Sequence, residues 1–195
     1  GALNSVLLGP RSSVFDRGAS AVYLPVGVPA IVHEEGPPGT GWAELAVGSA
    51  PATIPRVVRT IRPDDVRDEV RGRGHMERLV RTLIPPEFPA HRLMVCEVFV
   101  PPYHRATVPP HRHDRQSATE AALEETFYFR FADPEQGHGQ LDRYDVGWHT
   151  SQWVRDGDLV AIPKGFHTYV NGPSPAYFIN VLAGDERRMD ATLDE

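Results

Sequence analysis

Only one cysteine, Cys96, occurs in the 195 residues, so no disulfide forms within the chain. A lone thiol suits a reducing, cytoplasmic setting. No apolar run approaches the roughly 20 residues that span a bilayer, so no membrane partner is expected. Basic excess is missing too. The formal net charge is -6, which argues against nucleic acid as a partner. No signal-peptide pattern is seen at the start. Helix signals are sparse, the best being a short one over 118–123. Nineteen prolines and seventeen glycines break the chain often. The abundant material is short apolar segments between turns, the pattern of an all-β protein. Expected strands include 21–24, 30–32, 42–47, 93–100, 126–131, 140–144, 152–154, 159–162, 166–170 and 176–182. Gly36 to Gly39 reads as a loop tip.

The chemistry concentrates between His111 and Asn171. Residues two apart on a strand share a face, so His111 and His113 point the same way. With His167 and a carboxylate they make a set for one divalent transition metal. Zinc, manganese, iron and nickel all fit mixed imidazole and carboxylate ligands. Parity selects among the carboxylates. Glu125 shares a face with Phe127, Phe129 and Phe131, and Glu124 with Thr126, Tyr128 and Arg130. The phenylalanine face is the one to bury. A buried carboxylate needs a compensating partner, which makes Glu125 the ligand candidate and leaves Glu124 in solvent. Glu120, in a polar run, is the weaker third choice.

A faint repeat runs through the chain. Gly18 to Pro29 echoes Gly157 to His167, with Pro25 and Gly27 matching Pro163 and Gly165. Pro29 stands where His167 stands, so the first copy has the turn and lacks the ligand. This predicts a duplicated barrel with one metal-free half. The expected division is a remnant of an N-terminal barrel over 1–55, a connector over 56–92, and a metal-binding barrel over 93–195. The first copy lacks an upstream partner segment, from which a longer native N-terminus is expected.

The segment Gly157…Pro163-Lys-Gly165…His167…Asn171 resembles the second motif of the cupin superfamily, and His111-Arg-His113 resembles the start of the first. No glycine stands six before His111, and the gap from His113 to Glu125 is long. Phe88-Pro-Ala-His91, Pro109-Pro-His111-Arg-His113-Asp114, Leu123-Glu-Glu-Thr-Phe-Tyr-Phe-Arg130, Asn180-Val-Leu-Ala-Gly184 and Arg187-Arg188-Met189 resemble the 5-deoxy-glucuronate isomerase family of inositol catabolism. The likeness is strongest over 88–189 and weaker through Ile61 to Arg67. It departs at His104 to Thr107 and at Gly74-His75-Met76. The resemblance implies a cupin β-barrel (double-stranded β-helix) within a bicupin, with metal ligands at His111, His113, Glu125 and His167. It also implies a ketol-isomerase acting on a small sugar acid, here a deoxy-uronic acid.

Other residues are candidates for handling that substrate. Glu97 and Tyr169 are the acid/base candidates. Glu97 lies on a buried strand, where pairing with an arginine is the alternative reading. Tyr169 shares the parity of His167. Arg187, with Arg188, and Lys164 are candidates for gripping a carboxylate. A solvated tail and a solvated turn are the respective alternatives. The same ligand set is also compatible with a cupin dioxygenase or with a non-enzymatic sugar-binding cupin. The resemblance to barrel cupins, which associate through edge strands, also implies a homodimer.

Overall fold

A computed structural model describes residues 5–9, 11–16, 18–33 and 44–194. Its strands are β1 (Ala21–Tyr23), β2 (Arg59–Ile61), β3 (Asp68–Arg71), β4 (Arg78–Ile84), β5 (Leu93–Val100), β6 (Arg105–Arg112) and β7 (Glu124–Phe131). They continue with β8 (His138–Asp145), β9 (Trp148–Arg155), β10 (Leu159–Ile162), β11 (Phe166–Asn171), β12 (Ala176–Ala183) and β13 (Thr192–Leu193). Two antiparallel sheets form the body. One has the order β10-β7-β12-β5-β4-β3 and the other β13-β6-β11-β8-β9. This is the all-β cupin barrel that the strand pattern and motifs predict.

Alternation builds it. In β7 every second residue is buried, from Glu125 through Phe127 and Phe129 to Phe131, while Glu124 is exposed. Phe127, Phe129, Leu141, Val154, Tyr169 and Phe178 fill the space between the sheets, all at or near zero exposure. Interior aromatics of this kind contribute roughly 3–5 kcal/mol each when compared with alanine.

Several local expectations change. Residues 118–123 form no helix, because the segment is stapled as a loop. Buried Glu120 accepts from the amides of Asp114 and Arg115 at 2.9 and 2.8 Å, which removes it from the ligand set. Residues 30–32 and 44–47 form no strand, and residues 34–43, with the Gly36–Gly39 tip and the first part of the 42–47 segment, lie outside the described residues. The span 56–92, expected as a connector, holds β2, β3 and β4, and the last two extend the six-stranded sheet. β1 pairs with β2 and packs Tyr23 and Ile61 against Leu83 and Ile84 of β4. In their turns, Gly27 and Gly165 hold φ of 80° and 89°. Only glycine adopts such angles without strain.

Candidate metal centre

Two strands, and the residue that follows one of them, bring the imidazoles together. β11 pairs with β6 so that His167 lies directly opposite His111. The register then shifts between His167 and Tyr169, because β6 uses five residues from Ala106 to His111 where β11 uses two. Thr107, inside this bulge, has φ of 53°, a costly conformation for a β-branched residue. Bulges of this type re-aim side chains next to sites. His113 follows immediately after β6.

The three rings converge, with centroid separations of 5.9 Å for His111–His113, 4.6 Å for His111–His167 and 5.2 Å for His113–His167. One nitrogen from each lies within 4.8 Å of the others. Each ring is held from behind by a backbone carbonyl. His111 Nδ1 donates to Pro109 at 3.0 Å, His113 Nδ1 to Leu123 at 3.1 Å and His167 Nδ1 to Gly165 at 3.3 Å. A carbonyl only accepts, so each Nδ1 carries a proton and each Nε2 faces the shared space, that of His113 within hydrogen-bond distance of the Glu125 carboxylate at 3.0 Å. That back-bonding is how metal-binding histidines are oriented.

Glu125 completes the cluster. Its Oε2 is 3.0 Å from His113 Nε2 and 3.0 Å from His167 Nε2. His167 Nε2 is nonetheless off the line of any hydrogen bond and is a fully buried, unsatisfied atom. A buried carboxylate beside an unsatisfied imidazole nitrogen is a place where a cation is well accommodated. The donor set therefore fits a divalent transition metal, held by imidazole nitrogen and carboxylate oxygen.

The electrostatics agree. Burial pushes the His111 imidazole down to about 4, reinforced by the neighbouring His167, so it is neutral and ready to donate its lone pair. Burial opposes charge on His113 too, but the adjoining Glu125 carboxylate outweighs it and raises the ring. For Glu125 burial would raise the carboxyl, yet His167 and His113 hold it well below the usual range, so it is ionised. Cys96 lines the same cavity, and burial pushes its thiol up to about 12, which removes it as a thiolate ligand.

Asn180, which the sequence reading placed only in a family-like segment, touches the cluster. It sits on β12, and its Nδ2 donates to Glu125 Oε1 at 2.6 Å. This leaves Oε2 turned to the histidines. Asn180→Leu is expected to weaken metal binding about 10–100-fold while leaving every ligand in place. Metal titration of the apo variant by calorimetry checks this. Unchanged affinity would show that Glu125 needs no help to stay oriented.

The remaining candidates lie elsewhere. Glu97 is fully buried on the opposite face of β5, with Arg11 at 2.7 Å, the Tyr177 hydroxyl at 3.1 Å and the Ala19 amide at 3.3 Å. The arginine-partner alternative is the one observed, and Glu97 does not line the cavity. Tyr169 points inward as parity requires, but it packs deep among Phe129 and Phe178, and its hydroxyl donates to Asn171. A Cβ on Gly139 would lie 2.3 Å from that hydroxyl, so the ring leans directly on this glycine. Arg187 spends its guanidinium on the carbonyls of Leu93, Phe88 and Pro85, which leaves it no freedom to grip a substrate. Arg188 binds Glu186, Asp190 and the Ser117 carbonyl. Lys164 is exposed in the β10–β11 turn, away from the cavity lining.

Among known proteins, the model of the KduI/IolB family matches residues 4–195. The 5-deoxy-glucuronate isomerase of Geobacillus kaustophilus is 37% identical over 150 residues, covering 74% of this chain and 53% of that protein. That of Shouchella clausii is 34% identical over 186 residues, covering 92% of this chain and 66% of that protein. The chain thus spans about half to two thirds of the length of these curated relatives. An IolB-like protein from Salmonella typhimurium superposes with a TM-score of 0.68 at 33% identity, over 73% of this chain and 55% of the other. An oxalate decarboxylase, 16% identical with a TM-score of 0.50 over 67% of this chain and 31% of the other, shares the fold alone. No helix among the described residues is long and apolar enough to cross a membrane.

Proposed function

The chain belongs to the KduI/IolB family, and from that premise we propose that it is a metal-dependent ketol-isomerase of a deoxy-uronic acid. The favoured reaction converts 5-deoxy-glucuronate to 2-deoxy-5-keto-gluconate in inositol catabolism. The observation that carries this reading is the ionised Glu125 carboxylate among three back-bonded imidazoles, in a chain whose curated relatives are isomerases by name.

His111, His113, Glu125 and His167 are the proposed ligands. A bound divalent ion supplies Lewis-acid polarisation of a carbonyl and its neighbouring hydroxyl. The chain's own residues do the rest. Asn180 holds the carboxylate, and the three carbonyls behind the imidazoles fix which nitrogen faces the ion. Phe178, Leu182 and Val98 line the cavity with apolar surface. Isomerisation also needs a group that moves a proton between adjacent carbons. With Glu97 and Tyr169 away from the cavity, Asp190, which lines it and pairs with Arg188 at 2.5 Å, is the other carboxylate within reach and the candidate for this step.

The test is direct. Elemental analysis should find about one ion per chain, since the echo of the motif carries Pro29 in the histidine's place. The metal-loaded full-length protein should interconvert the aldehyde acid and its ketone, followed by NMR, with neither oxygen nor a nicotinamide present. Oxygen uptake matched to turnover would transfer the protein to the cupin dioxygenases. Tight sugar-acid binding without turnover would make it a binding protein.

A further inference from the structure

The mouth of the metal cavity carries a feature that the ligand cluster does not require. Arg71 on β3 and Arg78 on β4 are directly opposite each other in the antiparallel ladder. Directly opposed residues share a face, and like charges in that position repel. The face is the inward one, because Val80, two residues beyond Arg78, is buried in the core. Both arginines line the same cavity as His111, His113 and Glu125.

The two charges are answered unequally. Arg71 pairs with Glu69, at 2.8 Å through Nε and 2.7 Å through Nη2. Arg78 gives one Nη1 bond, at 3.1 Å, to the Met76 carbonyl. Among the described residues no carboxylate lies within ion-pair distance of it. Burial and the facing Arg71 both disfavour its charged form, and Glu69, at longer range, offsets them only in part. The hairpin that carries the pair is positioned rather than loose. Gly72 has φ of 84°, and a Cβ there would meet the Met76 carbonyl at 2.1 Å and Arg78 Nη1 at 2.9 Å. His104 Nδ1 donates to the Glu77 carbonyl at 3.0 Å, tying the hairpin to the residue just before β6. A cross-strand arginine pair, held in place and only partly compensated in the lining of a cavity, has the charge and the placement to take an anion.

We propose that Arg71 and Arg78 together bind the carboxylate of the sugar acid, with Arg78 as the principal contact, while the reacting end of the sugar lies at the imidazole cluster. The assignment rests on the isomerase reading for the identity of the anion. A planar guanidinium matches a carboxylate with two parallel hydrogen bonds, which a lysine does not reproduce. The pair therefore sets the preference for uronic acids over neutral sugars, the role that Arg187 and Lys164 were expected to fill.

The test measures binding separately from turnover. Metal-loaded full-length protein and its Arg78→Gln, Arg78→Lys and Arg71→Gln variants are titrated calorimetrically with D-glucuronate and with D-glucose. Melting curves and metal content are recorded for each. The native protein should prefer glucuronate. Arg78→Gln should lose about 10–100-fold in glucuronate affinity, with its bound metal and its affinity for glucose unchanged. Arg78→Lys should recover only part of the loss, and Arg71→Gln should show a smaller one. With 5-deoxy-glucuronate the loss should appear in KM more than in kcat. Equal affinity of native and Arg78→Gln protein for glucuronate, equal loss for both sugars, or no preference in the native protein would each overturn the assignment. Should Arg78→Gln fail to fold, the Arg78→Lys and Arg71→Gln proteins decide the matter on the same readouts. Arginine-dependent glucuronate binding without isomerisation would keep the anion site and discard the reaction class. Isomerisation with a KM indifferent to both arginines would do the reverse.

Discussion

Glu125→Gln is expected to strip the metal from this protein and abolish turnover, while Glu124→Gln leaves both intact. The two glutamates are neighbours in the chain and opposites in space. Glu125 is buried with its Oε2 3.0 Å from two imidazole Nε2 atoms, and Glu124 is exposed at the start of β7. Glutamine keeps the shape of the ligand but brings no charge. Its amide oxygen would be a neutral and weaker ligand, and its amide nitrogen, a donor only, could not serve as one. Loss of an orienting partner around a metal costs about 10–100-fold, and loss of a direct anionic ligand should cost at least the upper end of that range. An exposed carboxylate contributes roughly 0–1 kcal/mol even when paired. Metal content after dialysis, isomerase activity and thermal melts on both variants decide the point. Retention of the ion by Glu125→Gln would remove the carboxylate from the ligand set and leave three histidines alone.

Asn171→Ala, in the second cupin-like motif, should damage the fold severely. The side chain of Asn171 stands at the end of β11, buried. Its Nδ2 serves three carbonyls, Val100 at 3.1 Å, Pro101 at 2.9 Å and Ser174 at 2.9 Å. Its Oδ1 accepts from the Tyr169 hydroxyl at 2.9 Å. Alanine leaves a buried hydroxyl and several carbonyls without partners, at roughly 1–3 kcal/mol for each group that water cannot reach. A loss of about 4 kcal/mol is expected, which lowers the melting temperature by roughly 8–16 °C for a chain of this size. The melts belong in chelator, because a bound ion stabilises the folded state by mass action and would mask part of the loss. A shift of only a degree or two would mean that the bonds are made to water as readily as to Asn171.

These two predictions differ in how far the sequence anticipates them. The pairing of His111 with His113, the burial of Glu125 rather than Glu124, and the approach of His167 all follow from a two-residue period and from motif spacing. The period is a local property of an extended backbone, and it survives folding unchanged. The strands from residue 93 onward are legible for the same reason. Segment 118–123 was misread because alanine and glutamate favour helix in isolation, whereas Glu120 is recruited as an acceptor for the loop amides of Asp114 and Arg115.

What parity leaves open is which side of a sheet has the cavity, and how far along the strand the cavity reaches. β5 is buried on one face and partly covered on the other. Met94, Cys96 and Val98 face inward, and Glu97 is covered from outside by Arg11, Ala19 and Tyr177. A strand covered on both sides has no alternation to read, so the position of Glu97 came only with the tertiary structure. Tyr169 has the parity of His167 but lies two residues deeper, where Phe129 and Phe178 close the interior. Asn180, Arg71 and Arg78 reach the site from strands far apart in sequence, joined by sheet order and register that no local pattern encodes. The amino-acid sequence by itself determined the all-β character, the paired histidines and the carboxylate among them, because these depend on neighbours along the chain. The tertiary structure alone decided what surrounds the ligands, because that depends on which strands hydrogen-bond to one another and on what covers their outer faces.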